Sequence, residues 1–203
     1  MLTRKEATWL ACKPKTCCYT SFVLLTGLDI WRISNALDVP PWSFIVYFES
    51  PEPRPDAFML DKSGRQYRLA LTKAPSRRKK SPPPCVFLLK TRDGHHRCGL
   101  GDLRPQVCKT FPMELADGIV CIPGATGCTC RAWSLADTEI EEEEQMLGVR
   151  MSEFSEYCDL VENWNASVMA LPDEAQIDFY SYCRFVFQAY EERHEREQAG
   201  TLS

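Results

Sequence analysis

Long apolar runs are missing from this chain of 203 residues. No stretch approaches the roughly 18 consecutive apolar residues of a spanning helix, so the sequence predicts no membrane segment. The opening residues, MLTRKEATWLACKPK, carry no apolar h-region and no small-residue cleavage pattern, which argues against a secretory leader. Charge of one sign is not in excess either: 24 Lys and Arg face 28 Asp and Glu, for a formal net charge of −4. Nothing global therefore points to nucleic acid or membrane as partner. Familiar catalytic fingerprints are absent too. There is no G-x-G-x-x-G, no P-loop, no H-E-x-x-H and no C-x3-C-x2-C, which removes the dinucleotide, nucleotide, zincin and radical-type readings. No catalytic residue is assigned from the sequence, and the question of an enzyme stays open.

Cysteine is what the chain has in abundance. There are eleven, an odd number that would leave one thiol over in a closed disulfide framework. With no leader pattern read in the opening residues, the expected compartment is the reducing cytosol. Clustered thiols there mean metal or redox chemistry more often than disulfides.

The chain is organised around residues 85 to 112, CVFLLKTRDGHHRCGLGDLRPQVCKTFP. An Asp93-Gly94 turn between two short runs predicts a hairpin, because such a turn needs positive φ. That hairpin folds Cys98 back towards Cys85, and Cys108 follows the Arg104-Pro105 break. Upstream, Cys12 and the adjacent pair Cys17-Cys18 form a second thiol group, with Lys13 and Lys15 favouring the thiolate. Downstream, the glycine-rich loop PGATGCTC offers Cys128 and Cys130, either of which suits a metal loop. The metal-ligand set expected is Cys12, Cys17, Cys18, Cys85, Cys98, Cys108 and Cys128. Arg104 is expected to face either an anionic ligand or the charge of a thiolate cluster, with a loop-anchoring ion pair as the alternative. His95 and His96 sit at the hairpin tip and read as exposed turn residues rather than ligands.

The rest supplies a scaffold. Thr26 and Asp29 open a helix over residues 26 to 37 as a capping box, with Ile30, Ile33 and Leu37 on one face. WSFIVYF reads as a short buried helix holding Trp42, Phe44, Ile45 and Phe48, a strand being the other option. AFMLDKSGRQYRLALT reads as a hairpin turning at residues 61 to 64. KAPSRRKKSPPP reads as a solvated basic linker, and FPMELADGIVCI as a hairpin turning at Asp117-Gly118. From Ser134 onward the pattern is helical: an acidic helix starting near Thr138 with its glutamates solvated, then helices over 152 to 170 and 173 to 197. Their apolar faces are assigned to Phe154, Tyr157, Val161 and Trp164, then to Ile177, Tyr180, Phe185, Phe187 and Tyr190. Cys158 and Cys183 fall within these faces as core residues, and the tail AGTLS reads as disordered. The fold expected is α+β and helix-rich, with short β-hairpins gathering a cysteine cluster. Its predicted parts are a metal-binding domain over 1 to 133 and a helical extension over 134 to 203.

The order of these signals resembles the YkgJ-type cysteine-cluster family, described as a zinc- or iron-chelating domain. The resemblance rests on Cys12, Cys17-Cys18, Thr26 with Asp29, Cys85-Val86-Phe87-Leu88, Cys98, Arg104-Pro105, Cys108 and Phe111-Pro112. It implies bound iron, as an iron–sulfur cluster, or zinc, and admits a redox or protein-modification activity. Two other readings stand beside it. One is a zinc-stapled interaction module whose C-terminal helices meet a protein partner. The other is a metal-free thiol–disulfide protein.

Overall fold

The computed structural model describes residues 4–12, 15–75, 82–124, 133–172, 175 and 177–201. The fold is helix-rich α+β, with two-stranded sheets only among the described residues. Two compact units share the chain: unit 1 is Met1–Val23 with Leu71–Met151, and unit 2 is Leu24–Ala70 with Ser152–Ser203.

Unit 1 begins with α1 (Arg4–Ala11) and the single turn α2 (Thr16–Tyr19). Two hairpins follow. In the first, β3 (Leu88–Lys90) pairs antiparallel with β4 (His96–Cys98), in the register Leu88↔Cys98, around Gly94 at φ 84°. In the second, β5 (Glu114–Ala116) pairs with β6 (Ile119–Cys121) through Asp117 and Gly118, both at positive φ. Two consecutive positive φ values make the tight turn that matches strand twist, and Asp-Gly is the sequence that tolerates them. Between the hairpins lies α4 (Gln106–Thr110). The long helix α5 (Ile140–Ala170) contributes its first residues to unit 1. A small core of Met113, Val120 and Leu147 packs between hairpin and helix, with Leu115 and Ile122 against it.

Unit 2 is built on α3 (Gly27–Leu37), β1 (Ile45–Glu49), β2 (Tyr67–Leu71, all but its last residue), the C-terminal part of α5, and α6 (Phe179–Thr201). The capping box forms as expected: Asp29 N–H donates to Thr26 Oγ1 at 3.2 Å, and Thr26 N–H donates to Asp29 Oδ2 at 3.1 Å. Such a cap contributes about 1 kcal/mol. The apolar face of α3 buries Ile30 and Ile33. Gly27 permits the close approach of α3 to α6. A Cβ there would lie 2.3 Å from Tyr190 Cε2 and 2.9 Å from Val186 Cγ1. Gly27→Ala is expected to cost about 1–3 kcal/mol by overpacking. The check is a lower denaturant midpoint at unchanged m-value; an unchanged midpoint would mean that the buried Tyr190 ring yields freely.

Several expectations change. WSFIVYF is a 3₁₀ turn (Pro41–Ser43) running into strand β1 rather than a helix; Phe44 and Ile45 are buried, Phe48 is half-buried, and Trp42 is exposed. Its β-branched and aromatic content suits a strand once a partner such as β2 is present. Around the turn at residues 61 to 64, Phe58 and Tyr67 exchange both backbone hydrogen bonds. Beyond Arg68 the strand is buried on both faces, at Leu69, Ala70 and Leu71. The acidic helix and the next one are a single helix, since Gly148 does not break α5. On it Phe154 is exposed and Glu153 is buried, ion-paired with Arg32 at 2.9 Å. In α6 the core positions include Tyr182 and Val186, while Tyr180 is half-exposed. Cys183 is buried as expected and Cys158 is half-buried. The helix continues to Thr201, so residues 199 to 201 are helical rather than disordered.

Candidate metal centre

Five thiols, Cys17, Cys18, Cys85, Cys98 and Cys108, line one cavity of about 90 Å³ in unit 1. They come from α2, from the strands of the first hairpin and its approach, and from α4. Local structure explains each position. Pro105 sets the start of α4 with its fixed φ, so Cys108 lies in the first turn, its N–H bonded to Pro105 O at 2.8 Å. The hairpin register brings Cys98 opposite Leu88. Cys85 N–H donates to Cys18 O at 2.7 Å, which ties the two thiol segments together through backbone. The other walls are apolar, among them Trp9, Phe22, Leu71, Phe87, Leu100 and Phe111.

Two lysines brace this arrangement. Lys15 is buried at φ 45°, donates to the carbonyls of Trp9 and Leu10 near the end of α1, and lies 3.9 Å over the Trp9 ring. Lys73 Nζ donates to Ser21 O at 2.7 Å, Cys18 O at 3.2 Å and Tyr19 O at 3.4 Å, gathering the carbonyls that end α2. Cations at helix C-termini complement the dipole, and here they also sit beside the thiols. Lys73 fell inside the basic, proline-rich run that composition marks as solvated. The one cue to its different role is that it stands two residues after the buried end of the strand at Leu71. Residues 76–81 of that linker lie outside the described residues.

The thiols are not equivalent. Cys17 Sγ and Cys18 Sγ are 3.9 Å apart. Their hydrogen bond draws Cys17 down to about 7, helped by Lys15 and opposed by burial, and pushes Cys18 well up, with burial adding to the rise. Burial raises Cys85 and Cys98 as well. Against that rise, N–H groups donate to the sulfurs: Phe87 to Cys85, and Leu100 and Gly101 to Cys98. Such N–H···S contacts are the outer-shell support that a metal-bound thiolate uses.

Other predicted residues stand differently. Cys12 is buried at the end of α1 and is not on the cavity wall. Cys128 and Cys130 lie outside the described residues. Arg104 lines the cavity and pairs with Glu6 at 3.2 Å, and its charge also lowers the Cys98 thiol, so the anchoring and electrostatic readings coexist in one side chain. His95 is exposed, and His96 packs edge-on against Tyr19. Glu143 is not solvated as expected. It is buried and ion-paired with Lys5 at 2.6 Å, while Glu139, Glu141, Glu142 and Glu144 are exposed.

The donor chemistry suits a thiophilic metal: among the described residues of the wall five are cysteines, most of the other side chains are apolar, and ammonium groups stand nearby. Among the described residues, no three His, Cys, Asp or Glu side chains are already drawn to ligating distance, so closing a four-thiolate sphere at about 2.3 Å requires the sulfurs to move inward. No helix among the described residues is long and apolar enough to cross a membrane. No protein-family model, no curated protein and no solved structure matches the chain.

Proposed function

We propose that unit 1 is a thiolate metal-binding module of a reducing compartment, the cytosol, and that it holds an iron–sulfur cluster, or zinc as the alternative. One observation carries the reading: five thiols from three chain segments line a single apolar cavity. Four thiolates bind either group, and Cys17, Cys18, Cys85, Cys98 and Cys108 are the candidates to hold it. An iron–sulfur cluster supplies one-electron chemistry when bound. The protein's own part is to desolvate the site, to donate N–H groups to sulfur, and to offset thiolate charge with Lys15 and Lys73. The YkgJ-type pattern of Cys85 to Pro112 supports the same reading.

Anaerobic isolation, followed by metal and acid-labile sulfide analysis and absorption spectroscopy, tests it. The expected result is a stoichiometric metal that is lost when Cys85, Cys98 and Cys108 are changed to Ser. A folded chain without metal, or metal content that survives those changes, overturns the assignment. Stoichiometric zinc without sulfide favours the stapled module, for which exposed Phe154 and Met169 on α5 offer apolar surface to a protein partner. The 3.9 Å Cys17–Cys18 approach favours a thiol–disulfide protein if the chain keeps its fold and activity after stringent chelation.

A further inference from the structure

A second, larger cleft of about 640 Å³ lies beside the thiol cavity within unit 1, and the two share Trp9, Arg104, Cys108 and Phe111. Its size falls in the range of small-molecule sites. Aromatic side chains form part of its wall: Trp9, Phe111 and Trp133, the last two meeting at 88° with centroids 6.3 Å apart.

Charge decides what such a cleft accepts. Lys5 is neutralised by Glu143 at 2.6 Å, and Arg104 by Glu6 at 3.2 Å. Arg4 is engaged by a neighbour. Among the described residues of the wall, Arg4, Lys5, Arg104 and Lys109 stand against Glu6, Asp102, Glu139, Glu142 and Glu143, an excess of one carboxylate. An anion is disfavoured even at the N-terminus of α5, because Glu141, Glu142 and Glu143 already occupy its first turn and answer the dipole. The buried Lys5–Glu143 pair holds that turn in place, so the neighbouring Glu139 and Glu142 are positioned in advance. Aromatic faces and a net excess of carboxylate together select a positively charged organic group.

We propose that this cleft binds an organic cation, an ammonium group on a small molecule, with Glu139 and Glu142 supplying charge and Phe111 and Trp133 supplying ring faces. The proposal is independent of what the thiol cavity holds. It is tested on the full chain as isolated, by ligand-observed NMR titration with choline and with its neutral isostere 3,3-dimethylbutan-1-ol. Choline is expected to bind at least about tenfold more tightly than the isostere, with the cation contributing roughly the 1–2 kcal/mol of a partly desolvated aromatic site. The Glu139→Gln/Glu142→Gln double variant is expected to lose about tenfold in choline affinity, and Trp133→Leu to weaken choline while leaving the thermal unfolding midpoint in place. Equal binding of choline and the isostere, no choline binding by the folded chain, or full choline affinity in the double variant would each overturn the proposal. Metal content, measured on the same samples, reports separately on the thiol cavity.

Discussion

If unit 1 holds the metal proposed for it, chelation is expected to unfold unit 1 while unit 2 keeps its structure. Among the described residues, only seven of the 24 buried apolar side chains belong to unit 1, and two of those seven are Cys12 and Cys85. The remainder is Leu71, Leu100 and the small cluster of Met113, Val120 and Leu147. A core of that size contributes little against chain entropy. A structural metal site contributes an apparent ~10–16 kcal/mol, comparable to the whole stability of an ordinary domain. Hydrogen exchange read along α5 gives the sharpest check. After chelation, residues 140–151 are expected to exchange quickly, whereas Tyr157, Val161, Trp164 and Val168, buried in unit 2, keep their protection. Uniform protection along the helix before and after chelation would defeat the expectation.

The pH dependence of the two forms is expected to differ in sign. Cys85 and Cys98 are raised by burial in the metal-free fold. Their contribution to metal-free stability is therefore complete below the ordinary thiol value of about 8.5 and falls as pH rises through the raised values. Metal binding instead requires the thiolates, so retention of the metal strengthens as pH rises. Metal release by a competing chelator, followed across pH, checks the second half of this statement.

Phe58→Ala is expected to destabilise unit 2 by about 3–5 kcal/mol. Phe58 is fully buried and stacks on Tyr182 with centroids 3.8 Å apart and planes 10° from parallel. Tyr47, Tyr67 and Phe179 surround it, and both of its backbone hydrogen-bonding groups pair with Tyr67. Removing the ring leaves a cavity between rigid aromatics that cannot close up without moving Tyr182, whose hydroxyl is 2.9 Å from that of Tyr157. The check is an equilibrium denaturation series with Phe58→Leu as the milder companion. A loss below about 1 kcal/mol in Phe58→Ala would show that the aromatic cluster repacks.

Local signals were legible in the sequence where they depend on a few neighbouring residues. The Thr26–Asp29 cap, the Asp93-Gly94 and Asp117-Gly118 turns and the Arg104-Pro105 break all act over three or four residues, and each stands where the pattern puts it. Cys98 and Cys108 reach the cavity wall from those turns, whereas Cys12 is off the wall and Cys128 lies outside the described residues. What stayed hidden was decided at long range. Ile45 to Glu49 becomes a strand through pairing with β2, and Glu143 is buried because Lys5, 138 residues away, meets it. Glu153 rather than Phe154 faces inward because Arg32 answers its charge. Lys73 looked like the first residue of a solvated run, and the carbonyls of Cys18, Tyr19 and Ser21 give it a structural task.

The backbone bond from Cys85 to Cys18 also has a consequence for biosynthesis. The thiols meet across segments far apart in sequence, so Cys17 and Cys18 leave the ribosome about ninety residues before Cys108 does. At about 5–20 residues per second, each new chain carries that adjacent pair without its cavity partners for on the order of 5–20 s. During that interval the pair depends on the cell's own reductants to stay reduced, so the yield of correctly assembled protein should track the thiol poise of the compartment in which it is translated.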